Sequence, residues 1–469
     1  MAFSQGTQGG EMLTTARKWL AAFLLVGSAI AQTQPAPPPA ATPLTLPQAV
    51  DIALEKNPAR KAALAEQSMA EAGVREARSA LLPRLTFSET ATRGNDPVYV
   101  FGTRLRQQRF TAQDFALNRL NTPTPVGNFS TRFGGNWSLF DSFASWLGVS
   151  RARQMQDAAA QQLERTDQEL IFRAVQAYFG LLLASKQEQV AEQAMQTAQS
   201  IHDLGQARYQ AGLTVESDFL SAQVNLATRR QQLIEARNQV SLAQAQLTNA
   251  LGLSSATEYQ PAEALAERTL PVSPLNELEA EALRQRPDLK RLQAEQAAQG
   301  KGVAIAKASF GPRVNVFGSW EADNPAFTGG GGHNWVGGIE LQVDLFQGGA
   351  KRARLSRERA AQEQIVAMIQ SAENGVRLEV RRAYYQTDAA RQQVEVARAS
   401  TVQAQESLRI NQNRYEAGLA TITDLLRVEE ATRRTQTDYW DVVYRLQTSY
   451  ANLELAAGTL SRQSPVVTP

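Results

Sequence analysis

Arg208-Tyr209-Gln210-Ala211-Gly212-Leu213 returns 206 positions later as Arg414-Tyr415-Glu416-Ala417-Gly418-Leu419. An acid follows each copy at the same distance, Asp218 and Asp424. The offset of 206 holds without a gap from Leu139-Phe140 against Leu345-Phe346 to Gly252 against Gly458. Upstream, an offset of 229 aligns Ala53-Leu54 with Ala282-Leu283, Pro58 with Pro287 and Pro83-Arg84 with Pro312-Arg313. The difference, 229 − 206 = 23 residues, is extra sequence in the first copy between Pro83 and Leu139. One extended unit therefore occurs twice, in place of the three compact domains that length alone suggests.

Lys and Arg total 48 against 46 Asp and Glu, a balance that offers no footprint for nucleic acid. The absence of Cys excludes disulfides, thiolate metal sites, a Cys nucleophile and a lipidated N-terminal Cys. His202 and His333 lie far apart in sequence, and no nucleophile–base pair or ligand cluster stands out, so no catalytic, cofactor or metal residue is assigned. Arg17-Lys18, the apolar run Trp19 to Ile30 and the small-x-small Ala29-Ile30-Ala31 read as an export signal over 1–31, with Met12 a better first residue than Met1. That run is shorter than the ~20 residues a membrane-spanning helix needs, and no other segment is long and apolar enough. The Pro-rich stretch that follows predicts an extended linker over 32–47.

Proline is absent between Val126 and Gln260 and between Ala326 and Ser464, where Ala, Gln, Leu, Arg and Glu favour helix. Val376, Val380, Ala383, Thr387, Ala390, Val394, Ala397, Thr401, Ala404 and Leu408 alternate spacings of four and three, the seam of a coiled coil. The first copy carries a similar seam from Leu170, Ala174, Ala177, Leu181 and Ala184 through Glu188, Ala191, Met195 and Ala198 to His202. A helix from Phe143 to Tyr209 would be about 100 Å long. Before each helix the period changes to two. Trp335, Gly337, Ile339, Leu341, Val343 and Leu345 alternate with mostly polar residues, as do Phe129 to Leu139, and partner strands follow Pro83 and Pro312. About ten alternating residues suits a tilted transmembrane strand and equally a soluble sheet with one buried face. Four strands cannot close a barrel in lipid, so membrane-spanning strands would need several chains to share one barrel. The insert, Pro97 to Pro125, is predicted to be a long loop beyond the barrel.

These residues resemble the TolC-like outer-membrane efflux family from about Leu44 to Leu460. The resemblance rests on Leu46-x-x-Ala49-x-x-x-Ala53-Leu54-x-x-Asn57-Pro58, Leu81-Leu82-Pro83, Arg286-Pro287-Asp288-Leu289 and the two R-Y-x-A-G-L copies, taken in order and spacing. It implies an α+β membrane protein. Three chains would share a 12-stranded outer-membrane β-barrel, four strands each, continued by a long periplasmic α-helical coiled-coil barrel. A first repeat over 48–260 would hold a helix, a β-hairpin and a long helical hairpin. A second over 261–460 would repeat that order, followed by a tail over 461–469. The implied function is a passive exit duct of tripartite efflux or type I secretion. Its partners would be outer-membrane lipid, a periplasmic adaptor, and an inner-membrane pump or ABC transporter. The alternative is a periplasmic coiled-coil scaffold with a soluble β-domain.

Gly212 and Gly418 interrupt the helices, as a left-handed helix end allows. By the resemblance these turns meet the adaptor, with Gly212, Leu213, Gly418 and Leu419 as docking residues. Asp424 suits a capping box with Thr421, whereas the aligned Val215 cannot cap and leaves Asp218 to Thr214 at best. The resemblance also places Asp218 and Asp424 in a carboxylate ring that narrows the periplasmic aperture, with Tyr415 taking part in closure. The chain departs from the family pattern at Ala420, where an Arg is usual, and at Arg427, where a second acid is usual. A closed aperture is accordingly expected to use Asp218, Tyr415, Asp424 and Arg427. His202 is expected as a packed or half-exposed seam residue, and Gly329 to His333 as a hairpin turn.

Overall fold

The computed structural model describes residues 42–254 and 259–468. The expected export signal, and the linker up to position 41, lie outside the described residues. From Thr42 onward the linker expectation is corrected. Thr42–Leu44 (β1) pairs in parallel with Tyr259–Pro261 (β4), and a helix, α1, already spans Leu46–Lys56. Pro47 is tolerated in the first turn, where its missing N–H has no helical partner to lose, and Thr45 and Gln48 form a reciprocal capping box.

The first copy continues with α2 (Pro58–Ser79), β2 (Arg84–Gly94), β3 (Val126–Phe140), α5 (Ala144–Gln210) and α6 (Glu216–Ala250). The second repeats the order as α7 (Leu275–Gln285), α8 (Pro287–Ala308), β5 (Arg313–Asn324), β6 (Gly332–Gln342), α9 (Ala350–Glu416) and α10 (Ile422–Ala457). Helices α5 and α9 each hold 67 residues, about 100 Å of rod. Equal length follows from the gapless offset. A joint near mid-helix is duplicated too. Gly252 and Gly458 end α6 and α10 at φ +73° and +75°. A Cβ there would lie 2.4 Å from Asn57 Cα and 2.9 Å from Arg286 Cα, so only Gly lets the next helix start come so close. Asn57 Nδ2 donates to the Ala250 carbonyl at 3.0 Å, and Arg286 donates to the equivalent Ala456 carbonyl at 3.2 Å. Different side chains thus satisfy the same orphan helix end. The largest apolar core lies at this level, around Tyr178, Leu181, Leu247, Val443, Leu446 and the chain's own tail at Val466 and Val467.

The seam expected on α9 is its buried stripe: Val376, Val380, Ala383, Thr387, Ala390 and Val394 are buried, and the rest, through Leu408, are half-buried. On α5 the proximal half holds, but the distal half is corrected. The buried positions there are Val190, Ala194, Ala198, Ile201 and Gly205, with Glu188, Ala191, Met195 and His202 only half-buried. Crossing of α10 over α5 as well as pairing with α6 widens the buried face, so a single seam no longer describes it.

The strands form one antiparallel sheet in the order β2-β3-β5-β6, with β2 and β6 as open edges. Its β6 strand stops at Gln342, short of the expected Leu345, because its partner strand begins opposite it at Arg313, just after Pro312, which has no N–H to give. The insert is also corrected. Pro97 to Pro125 is a built subdomain, not an open loop: α3 (Pro97–Arg106), a 3-10 turn (Ala112–Phe115) and α4 (Leu117–Asn121). Phe101, Phe110 and Phe115 pack edge to face, and Asp114 pairs with Arg104. Gln107 then ties α3 to the polar face of the sheet. It donates to Asn128 Oδ1 at 2.9 Å, and Asn128 donates to the buried Asp323 at 2.6 Å.

Candidate functional site at the helical tips

Each R-Y-x-A-G-L copy closes its helix in the same way. The N–H groups of Gly212 and Leu213 donate to the carbonyls of Tyr209 and Arg208, and those of Gly418 and Leu419 to Tyr415 and Arg414. This is the Schellman arrangement, with glycine at φ +74° and +75°. The cap accounts for glycine but not for leucine. Leu213 and Leu419 remain 68% and 69% exposed.

Behind the turns the two hairpins pack through Ile201, Ala222, Tyr415, Ile422 and Leu425. Tyr415 is buried, and burial raises its phenol pKa, opposed by Arg208 and reinforced by Asp218. Arg208 reaches from the first tip to the second: Nη1 donates to the Tyr415 carbonyl at 2.5 Å, and the guanidinium lies 5.1 Å from the ring centroid. Sequence reasoning gave Arg208 no role, although it opens the repeated motif. Its second-copy equivalent, Arg414, instead donates to the Leu419 carbonyl of its own turn.

The two acids differ as their neighbours do. Thr421 caps α10 by accepting from Asp424 N at 3.1 Å, and its hydroxyl donates to Asp424 Oδ2 at 2.7 Å. The Thr421 hydroxyl first, then the Thr421 backbone N–H, hold the Asp424 carboxyl below its ordinary range. At the first tip Val215 occupies the N-cap and makes no side-chain bond, while Thr214 donates to Asp218 Oδ2 at 2.9 Å. Asp218 acts on Tyr415 by its charge alone. Arg427 is not drawn to them: it lies 3.9 Å from Asp424 on its own helix face and is largely exposed. His202 is half-buried against Phe219, which stacks on Tyr209. Gly329 to Gly331 form the connection before β6, and Gly332 and His333 open the strand.

At the opposite end, one row crosses all four strands in register: Phe87, Phe133, Trp320 and Trp335. Their rings touch in sequence, at 5.1 Å for Phe87–Phe133 and 6.0 Å for Phe133–Trp320. This face, continued by Leu85, Ile339 and Leu341, is uncovered, with Trp335 at 80% exposure. The next row outward is Glu89, Thr131, Ala322 and His333, mostly polar. The reverse face carries Ser130, Arg132 and Glu321, joined by bonds of 2.6 and 2.7 Å. No helix among the described residues is long and apolar enough to cross a membrane, and none of their acids and histidines cluster as a metal site would.

The outer membrane efflux protein model matches residues 49–253 and 278–459, one segment in each repeat. Protein CyaE of Bordetella pertussis is 27% identical over 93% of this chain and 89% of its own length. The alkaline protease secretion protein AprF of Pseudomonas aeruginosa is 24% identical over 87% of this chain and 83% of its own. The crystal structure of the CmeC outer membrane channel of Campylobacter jejuni superposes with a TM-score of 0.74 at 20% identity, covering 90% of this chain and 87% of that one.

Proposed function

This chain belongs to the outer membrane efflux protein family, and from that premise we propose that three copies form one continuous passive duct, with the strands as its outer end and the helical tips as its periplasmic mouth. The chain is an outer-membrane channel component of efflux or type I secretion machinery, extending into the periplasm. Members of the family are channel proteins, and we assign this one no reaction. One observation carries the duct: a four-stranded sheet with two open edges and an uncovered aromatic row. Lipid tolerates such a sheet only if the edges close on other strands. Pairing β2 of one chain with β6 of the next closes twelve strands, puts the aromatic row at a membrane interface and turns Arg132 and Glu321 to the lumen.

The helices favour the same assembly. Besides its buried seam, α9 carries Leu378, Tyr385, Val396 and Ile410 exposed on a second 3.5-residue seam, with Val402 exposed beside it. On α6, Leu220, Val224 and Ile234 form another. Each is a knobs-into-holes surface left exposed among the described residues, and α6 of one copy against α9 of the next satisfies both. At the mouth, Asp218 and Asp424 from three chains would ring the axis and favour cations. Arg208 and Tyr415 join the two tips of each chain, and Arg427 tempers Asp424. Leu213 and Leu419, with their glycines, are the apolar points on which a periplasmic adaptor docks, and through it an inner-membrane pump or ABC transporter. Membrane fractionation with native mass determination tests the assembly. Recovery in the outer membrane as three chains is expected, whereas a soluble periplasmic monomer would refute it and favour a coiled-coil scaffold.

A further inference from the structure

About three helical turns above the second tip, Arg229 of α6 meets Glu429 of α10. Nη2 donates to Glu429 Oε2 at 2.5 Å; Nη1 donates to Gln232 Oε1 at 2.9 Å and lies 2.8 Å from Glu430 Oε2. The two side chains are 5% and 2% exposed, and no other ion pair among the described residues has both partners so deeply buried. Among the described residues, Arg229 Nε and Glu429 Oε1 have no hydrogen-bond partner. Apolar residues flank the pair as Leu226, Leu233 and Leu425. A buried pair with open valences does little for net stability against apolar replacements, but it fixes register, and loss of one partner strands the other charge.

The pair is also asymmetric. Under the offset of 206, Glu429 corresponds to Gln223 and Arg229 to Thr435, neither of which ionises. In a tube of six near-equivalent hairpins, the α6–α10 contact occurs alternately within and between chains. The ion pair occupies only the contact within a chain.

Building on the reading of the tips as a duct mouth, we propose that Arg229 and Glu429 clamp the two hairpins of each chain together, so that the mouth widens along the seams between chains. Removal of Arg229 leaves Glu429 buried and alone, and the hairpins part to hydrate it. Burial already pushes the Glu429 carboxyl above its ordinary range; the charges acting on it are Arg229 of α6 and, on its own helix, Glu430 and Arg433. A carboxyl whose pKa is higher in the clamped arrangement than in water binds its proton preferentially there. Acid therefore favours the clamped state, and the parted state gains as pH rises through the raised pKa.

The test compares wild type, Arg229→Met and Arg229→Met/Glu429→Leu in planar bilayers and by hydrogen exchange over α6 and α10. Arg229→Met is expected to raise the open fraction roughly a hundredfold, equivalent to about 3 kcal/mol, with leak that declines in acid and faster exchange near both tips. The double variant, with no stranded charge, should return to wild-type leak and exchange and lose the pH dependence. Unchanged conductance and exchange in Arg229→Met overturns the clamp, as does a leak that persists in the double variant. A wild type that never conducts counts against the duct itself, and the exchange data then decide the clamp independently.

Discussion

Replacing the tip glycines by Ala separates helix capping from docking. At Gly212 an added methyl meets no heavy atom within 4 Å, and at Gly418 it meets only the mobile end of Arg208 at 3.5 Å. Its cost is confined to the left-handed backbone, roughly 1–2 kcal/mol per site. Gly252 supplies the contrast at nearly the same φ, +73°. There the methyl would lie 2.4 Å from Asn57 Cα, backbone that cannot swing aside. Overpacking adds to the backbone term, for a total of about 3 kcal/mol or more. Thermal unfolding of the purified assembly should fall only slightly for Gly212→Ala and Gly418→Ala and clearly more for Gly252→Ala. Adaptor co-purification and export should show the opposite ranking. The tip double variant should lose about tenfold or more in adaptor affinity, equivalent to about 1.4 kcal/mol, because the partner's backbone packs where the methyls project. Equal melting losses at Gly212 and Gly252 would refute the packing argument. A tip double variant that binds and exports normally would reduce the motif to a helix cap.

Three further outcomes follow from the same geometry. Ile339→Arg, on the uncovered face of β6, should cost about 2–4 kcal/mol in the membrane and deplete the outer-membrane fraction, while Asn334→Arg on the opposite face should be recovered almost normally; equal recovery would show that the apolar face does not meet lipid. Val396→Asp with Ile234→Asp should leave helix content by circular dichroism intact and convert trimers to monomers by native mass, and an intact trimer would empty the second-seam argument. In an Asp218→Asn background, cation preference carried by Asp424 should persist through mild acid. The Asp424 carboxyl sits below its ordinary value of 3.8, so its charge is present above that range and lost only as pH falls through the depressed pKa. A preference lost between about pH 7 and pH 5 would count against the ring.

Features set by chain periodicity were legible without coordinates. The gapless offset anticipated equal rods, the 3.5-residue spacing anticipated the α9 seam, and the change to period two located the four strands of the antiparallel sheet but not the short β1 and β4. Features set by contacts across the chain were not. Only the approach of α10 decides which half of α5 carries a shifted seam. Asn57 and Arg286 share no chemistry, yet both hold the carbonyl of a helix end, because one turn geometry presents it to each. Arg208 looked like its copy Arg414, but only the first tip faces a second one closely enough for the guanidinium to cross. The insert looked like a loop because its helices are short and α4 has no side-chain cap, and its attachment through Gln107, Asn128 and Asp323 joins residues some two hundred positions apart. Within one chain, helix geometry gives Arg427 the carboxylate of Asp424, three residues earlier, a pairing that only the structure shows.

Single-channel recording of the purified protein in a planar lipid bilayer bears most directly on the shared duct. Discrete conductance steps from an assembly of three chains are the predicted result. Folded protein that leaves the bilayer silent, and that stays soluble without detergent as a single chain, would contradict it.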